Sequence, residues 1–71
     1  MSVSYKKLWI RLIEQGKTKM DLRKGAEFSP ATLTKLNKNE LVALSVLVNI
    51  CHFLKCDIGD IMEVLPEEKA E

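Results

Sequence analysis

Thr18–Lys38, TKMDLRKGAEFSPATLTKLNK, is the stretch that decides the fold. It reads as two short helices joined by a tight turn. Thr18 can cap the first, and Asp21, three residues on, completes a capping box. Ser29 caps the second, with Pro30 at its first position, where a missing N–H costs nothing. Phe28 before that cap and Leu33 within the helix have the spacing of a hydrophobic staple, which sets the angle between the chain and the helix. Leu22, Ala26, Phe28, Leu33 and Leu36 make one apolar side of the pair. Thr32, Thr34, Lys35 and Lys38 fall on the other.

The turn is the unusual part. Glu27 stands between the helices, where one residue of positive φ is commonly needed and Gly is cheapest. Either Glu27 adopts the left-handed conformation at a cost of about 1 kcal/mol or more, or Gly25 absorbs the strain and the turn has another shape.

The charge pattern follows this stretch. The chain has 71 residues and a net charge of +1, which by itself implies nothing about partners. Its distribution does. Residues 1–16 carry +2, residues 17–38 carry +4, and residues 39–71 carry −5. The positive part holds Lys17, Lys19, Arg23, Lys24, Lys35 and Lys38. A helix-turn-helix with a basic second helix is a device for setting one helix in the DNA major groove, and the acidic end belongs away from phosphates.

Upstream, Ser4 can cap a first helix running to about Gln15. Tyr5, Leu8, Trp9, Leu12 and Ile13 form its apolar face, and Gly16 is its stop. Trp9 reads as a core anchor, and Ile10 lies off the face. The second helix covers about 19–25 and the third about 30–37, followed by a polar break, Asn37-Lys38-Asn39. A fourth helix runs from Ala43 or Leu44 to about Leu54, with one stripe of Leu44, Leu47, Val48, Cys51 and Leu54. A second stripe of Val46, Ile50 and Phe53, with Val42 beside it, suggests a homodimer contact. Asp57 can cap a last short helix with Ile58, Ile61 and Met62 facing inward. Residues 1–66 read as one domain and 67–71, EEKAE, as a solvated tail.

Several classes are disfavoured. Hydrophobic residues make up 46% of the chain, yet no apolar run reaches the roughly 18 residues of a membrane span. The start lacks a signal-peptide pattern. Cys51 and Cys56 are too few for a disulfide scaffold, and with one His, His52, they leave no zinc ligand set, so a cytoplasmic chain with reduced thiols is expected. No metal, cofactor or small-molecule ligand is expected. Nor is catalysis: there is no Gly-rich phosphate loop, and Cys51 and His52 project about 100° apart on a helix, so they do not pair.

Four stretches together resemble a known family: YKKLWIRLIEQGKTKMDLR, FSPATLTKL, the short KNE link and VLVNICHFLKCDIGDIMEV. They are similar to the lambda-repressor-like, Cro-type (xenobiotic-response-element) regulators, in particular to small single-domain members, over about residues 5–65. The resemblance implies an all-α, compact five-helix domain with the helix-turn-helix as helices two and three. It also implies a transcriptional regulator that binds double-stranded DNA. Glu27 departs from the family's usual Gly.

Carried over by position, the base-facing residues are Ser29, Ala31, Thr32, Thr34 and Lys35. The phosphate-facing residues are Lys19, Lys38 and Asn39, and charge alone adds Lys17, Arg23 and Lys24. Ala31 and the Thr32 methyl suit a thymine methyl, and Lys35 suits guanine O6 or N7, or a phosphate. The N–H groups at the start of helices two and three suit phosphates. No Arg, Asn or Gln lies on the base-facing half, so modest base specificity with shape readout is expected. The competing reading is a protein-interaction module, antitoxin-like or regulator-binding, on the same fold. Convergence of Lys19, Lys35 and Lys38 on one surface would favour DNA.

Overall fold

A computed structural model describes residues 2–66. The tail read at 67–71 lies outside the described residues. Four α-helices follow one another: α1 (Lys6–Glu14), α2 (Lys19–Ala26), α3 (Pro30–Asn37) and α4 (Leu44–Leu54). Two-residue strands flank them, β1 (Val3–Ser4) and β2 (Glu63–Val64). They pair antiparallel, Val3 with Val64 and Ser4 with Glu63, and the Leu65 N–H extends the ladder to the Ser2 carbonyl at 2.9 Å.

The core draws on every helix. Tyr5, Leu8, Leu22, Leu36, Ile50 and Ile61 are its wholly buried large side chains. Thus the segment ahead of α1, each helix, and the turn after α4 all supply one anchor.

The predicted first helix starts later than its expected cap. Ser4 is held in the β1–β2 ladder, and Tyr5 takes the N-cap position. Tyr5 is tied to the link between α3 and α4. Its N–H donates to Asn39 Oδ1 at 3.0 Å and its phenol donates to the Glu40 carbonyl at 2.8 Å. Burial raises the Tyr5 pKa, against a hydrogen bond from the Val42 backbone that lowers it. Gly16 does stop the helix: at φ +68° it closes a double cap, with its own N–H on Ile13 O and the Lys17 N–H on Leu12 O. Ile13, expected inside, is 77% exposed. It lies at the edge of the apolar arc, about 100° beyond Leu12, where the last turn runs past the core.

The expected fifth helix is a single 3-10 turn, Ile58–Asp60. Asp57 takes the N-cap position as expected, and its N–H donates to Asp60 Oδ2 at 3.0 Å, so the carboxylate that ties the start is that of Asp60. The chain then buries Ile61 and turns at once into β2, which leaves no length for a helix. The turn is held to α1 by Lys7 Nζ on the Gly59 carbonyl (3.2 Å) and by Arg11 facing Asp60 (3.9 Å). At the opposite corner, Gln15 Nε2 donates to the Leu54 carbonyl at 3.2 Å.

In α4 the two apolar stripes divide differently from the sequence reading. Leu47, Ile50, Cys51 and Leu54 face the core. Val46 and Phe53, the latter against α2, flank them on the covered side, while Leu44 (66% exposed) and Val48 (40%) flank them on the open side. Gly25 explains the choice. A Cβ at Gly25 would lie inside the Phe53 ring, so only Gly lets α2 come this close to α4.

Candidate nucleic-acid interface

The local chemistry of the helix pair is as the sequence implied. The Asp21 N–H donates to Thr18 Oγ1 at 3.0 Å, and the Thr18 N–H donates back to Asp21 Oδ2 at 2.9 Å. The Thr18 backbone bond, then its hydroxyl, hold the Asp21 carboxyl below its ordinary pKa. Glu27, not Gly25, takes the left-handed turn position, at φ 59° and ψ 50°. The turn is therefore the one the family pattern requires, made with a residue that is strained there.

α3 begins at the Ser29 cap, whose hydroxyl accepts from the Thr32 N–H at 3.2 Å. Leu36 is buried and Leu33 half-buried. With those turned inward, the residues that share the outward row at helical spacing are Ala31, Thr34, Lys35 and Lys38. All four are exposed. Thr32 lies on the flank, half-buried, with its Oγ1 3.1 Å from Ser29 Oγ. One hydroxyl hydrogen lies between these two oxygens, and the other is free to turn outward. The Thr34 hydroxyl donates to the Pro30 carbonyl at 3.2 Å, so it presents a methyl group and acceptor lone pairs.

The phosphate-facing set is only partly brought together. Lys19 Nζ donates to Asn37 Oδ1 at 2.7 Å and sits 4.4 Å from the centroid of the Trp9 ring. Three helices thus place one ammonium at the C-terminal end of α3, where Asn37 lies. Arg23 follows Lys19 by one turn and shares its row. Lys24 lies on the solvent side of α2. Lys17 is elsewhere, with Nζ 5.6 Å from the centroid of Phe53 on α4. Asn39 sits at φ 57° with its side-chain oxygen committed to the Tyr5 N–H, so its first role is structural. The role of Asn37 in positioning Lys19 was not legible in the sequence, because it depends on a contact between α2 and the far end of α3. Trp9 is half-buried and carries Lys19 on its face, a second use beyond the expected core anchor.

The helix starts offer fewer free donors than expected. In α3, Pro30 has no N–H and that of Thr32 is taken by Ser29, so Ala31 holds the remaining free one of that first turn. In α2 the Asp21 and Leu22 N–H groups go to Thr18, leaving those of Lys19 and Met20.

The suggested dimer contact also changes. Ile50 is wholly inside the core and has no surface to offer, while Val46 and Phe53 are half-buried against the core, Phe53 beneath Gly25 of α2. The open apolar side chains here are Leu41 (55% exposed), Leu44 and Val48. Among the described residues, no three His, Cys, Asp or Glu side chains lie together as a metal site, and no helix is long and apolar enough to cross a membrane.

Two short helices joined by a tight turn, capped at both starts, with a solvent-facing row of Ala, Thr and two Lys on the second, define a helix-turn-helix DNA-binding domain. The profile of the Cro/C1-type helix-turn-helix DNA-binding domain matches residues 7–67, and the chain belongs to that family. A solved structure described as the transcriptional regulator VanUg is similar to it throughout. The two are 52% identical, with a TM-score of 0.89, over 93% of this chain and 88% of that one. No protein of curated function matches significantly. The protein is a DNA-binding transcriptional regulator of the Cro type, mostly helical, with four α-helices among the described residues where five were expected.

Proposed function

We propose that the protein recognises a particular double-stranded DNA site by laying α3 in the major groove, and that it does so as a homodimer. The observation that carries this reading is the outward row Ala31, Thr34, Lys35 and Lys38, with Lys19 held beside its end through Asn37. Ala31 and the Thr34 methyl suit thymine methyl groups, and Lys35 reaches guanine or phosphate. Ser29 and Thr32 supply the one rotatable hydroxyl at the helix start. Lys19, Arg23 and Lys38 meet the backbone on either side. With no bidentate side chain in the row, each base contact is weak, and the shape of the site contributes to selectivity.

One chain covers one half-site. A second copy, with its α3 roughly 34 Å away on the same DNA face, supplies the rest. The exposed Leu41, Leu44 and Val48 are the apolar surface available for that contact. The same surface would serve a different protein if the chain acts as an interaction module.

Fluorescence anisotropy tests the reading, with DNA from upstream of the protein's own gene against scrambled DNA. Tighter binding to the former, weakened by Lys35→Ala, is expected. Equal binding to both, unaffected by Lys35→Ala, would overturn groove readout. Size-exclusion with light scattering at micromolar concentration tests the pairing. A monomer both free and on DNA would overturn it, and Leu44→Glu is expected to dissociate the dimer.

A further inference from the structure

The end of α4 carries a feature that DNA binding does not use. Lys55 takes a left-handed conformation at φ 58°, and the Cys56 N–H returns to the Cys51 carbonyl at 3.0 Å. The Lys55 N–H goes to the same carbonyl, and the Cys56 bond is the six-to-one bond of a Schellman-type cap, whose first and last residues frequently make a side-chain contact. Here both ends are cysteines. The direct N–H···O bond between the two residues holds their Cα atoms roughly 5–6.5 Å apart, inside the range of about 4.4–6.8 Å that a disulfide spans. Both thiols are free. Both also line one open depression, with His52, Lys55, Asp57 and Asp60.

We propose that Cys51 and Cys56 form a reversible dithiol site that closes into an intramolecular disulfide by exchange with a small-molecule disulfide. Cys56 is the more exposed of the two and captures the reagent; Cys51 is buried and resolves. The Cys56 thiolate attacks one sulfur of oxidised glutathione, and the first glutathione leaves as a thiol after taking a proton. The Cys51 thiol then loses its proton and attacks the Cys56 sulfur, expelling the second glutathione. The protein loses two hydrogen atoms, and one oxidised glutathione becomes two reduced ones. Burial pushes the Cys51 thiol up to about 11 and raises Cys56 as well. This slows each attack at neutral pH, since the thiolate is the nucleophile, but does not set the equilibrium. The equilibrium is set by how closely the fold holds the two sulfurs.

The full chain is equilibrated in glutathione buffers of graded oxidised-to-reduced ratio, quenched in acid, alkylated with N-ethylmaleimide and weighed intact. The expected product is a single chain lighter by two hydrogens that takes up no maleimide. Half-oxidation is expected at a ratio at least about tenfold lower for the folded chain than in concentrated urea, because the native cap brings the thiols together. The oxidised form should melt roughly 5–10 °C higher. Cys56→Ser, at a half-exposed position, should fold, lose the shift in melting, and end at most as a glutathione adduct. Uptake of two maleimides by the folded chain at every ratio would overturn the proposal. So would half-oxidation no easier than in urea, or chain-to-chain disulfides as the main product.

Discussion

Replacing Glu27 with Gly should make the domain more stable. Glu27 sits at φ 59° and ψ 50°, between α2 and α3. A non-Gly residue pays about 1–2 kcal/mol there, because its Cβ crowds the following carbonyl. Glycine removes that cost but loses more freedom on folding, which takes back roughly 0.5–1 kcal/mol. Glu27 is exposed, and none of its side-chain atoms has a hydrogen bond among the described residues, so truncation sacrifices little. The net expectation is a gain of about 0.5–1 kcal/mol, which for a domain of this size is a rise in Tm of roughly 2–8 °C. Thermal and urea unfolding followed by circular dichroism would measure it.

The substitution also removes a negative charge from the C-terminal end of α2, where the helix dipole disfavours one. Glu27→Gln separates the two effects, since it removes the charge and keeps the strained backbone. It should gain no more than a few tenths of a kcal/mol. If Glu27→Gly were no more stable than Glu27→Gln, the left-handed strain would not be stored at this position and the account of the turn would fail.

Three further outcomes follow from particular contacts. Gly25→Ala should gain about 1 kcal/mol of helix propensity when Phe53 is also shortened to Leu, yet lose stability by about 1–2 kcal/mol beside the native ring, a coupling that a double-mutant cycle in urea would read. Tyr5→Phe should cost about 1–2 kcal/mol, since it leaves the Glu40 carbonyl without its donor, and amide exchange should quicken in the 39–42 link. In acid, the Asp21 carboxyl has its pKa depressed in the folded state, so its contribution is complete above its unfolded value near 3.9 and is lost as pH falls through the folded value. Asp21→Asn should therefore flatten the stability curve below about pH 4; an unchanged slope would count against the capping box.

How much of this was legible in the sequence depended on range. Thr18 with Asp21, Ser29 with Pro30, and Gly16 are local devices whose partners lie within a few residues, and each appears in the structure as read. Glu27 was legible as one of two options, and only the backbone decides between them. The β1–β2 ladder was not legible, because two strands of two residues, some sixty positions apart, leave no periodicity to detect. α4 shows the limit of periodicity itself. Its apolar residues cover both flanks of the core face, and the sequence does not say which flank is covered. Gly25, on another helix, holds that information through its approach to Phe53. Of the dimer contact expected at Val46, Ile50 and Phe53, Val46 and Phe53 fell on the covered flank for this reason, and Ile50 in the core face itself. Asp57 was read as the cap of a helix because a cap looks the same before one turn as before three.

The same distinction governs the charge. Nine basic side chains lie among residues 1–38, and composition alone would assign them all to DNA. The fold commits several elsewhere. Lys7 is on the Gly59 carbonyl, Arg11 faces Asp60, and Lys17 lies over Phe53. Lys6 and Lys24 lie off the row. Lys19, Arg23, Lys35 and Lys38 remain around the outward face of α3. Each phosphate neutralised contributes about −0.9 to the slope of log affinity against log salt, so four contacts predict roughly −4 per protomer, where nine would give roughly −8. Titrations over about 50–200 mM salt resolve that difference. Lys38→Ala should shallow the slope by about one, with affinity falling alike on all sequences. Lys7→Ala should leave it unchanged, because its ammonium is held against the turn after α4 on the α1 side. A slope near −8, or one that Lys7→Ala shallows, would mean that the N-terminal charges reach the DNA after all and that the fold does not divide the basic residues in this way.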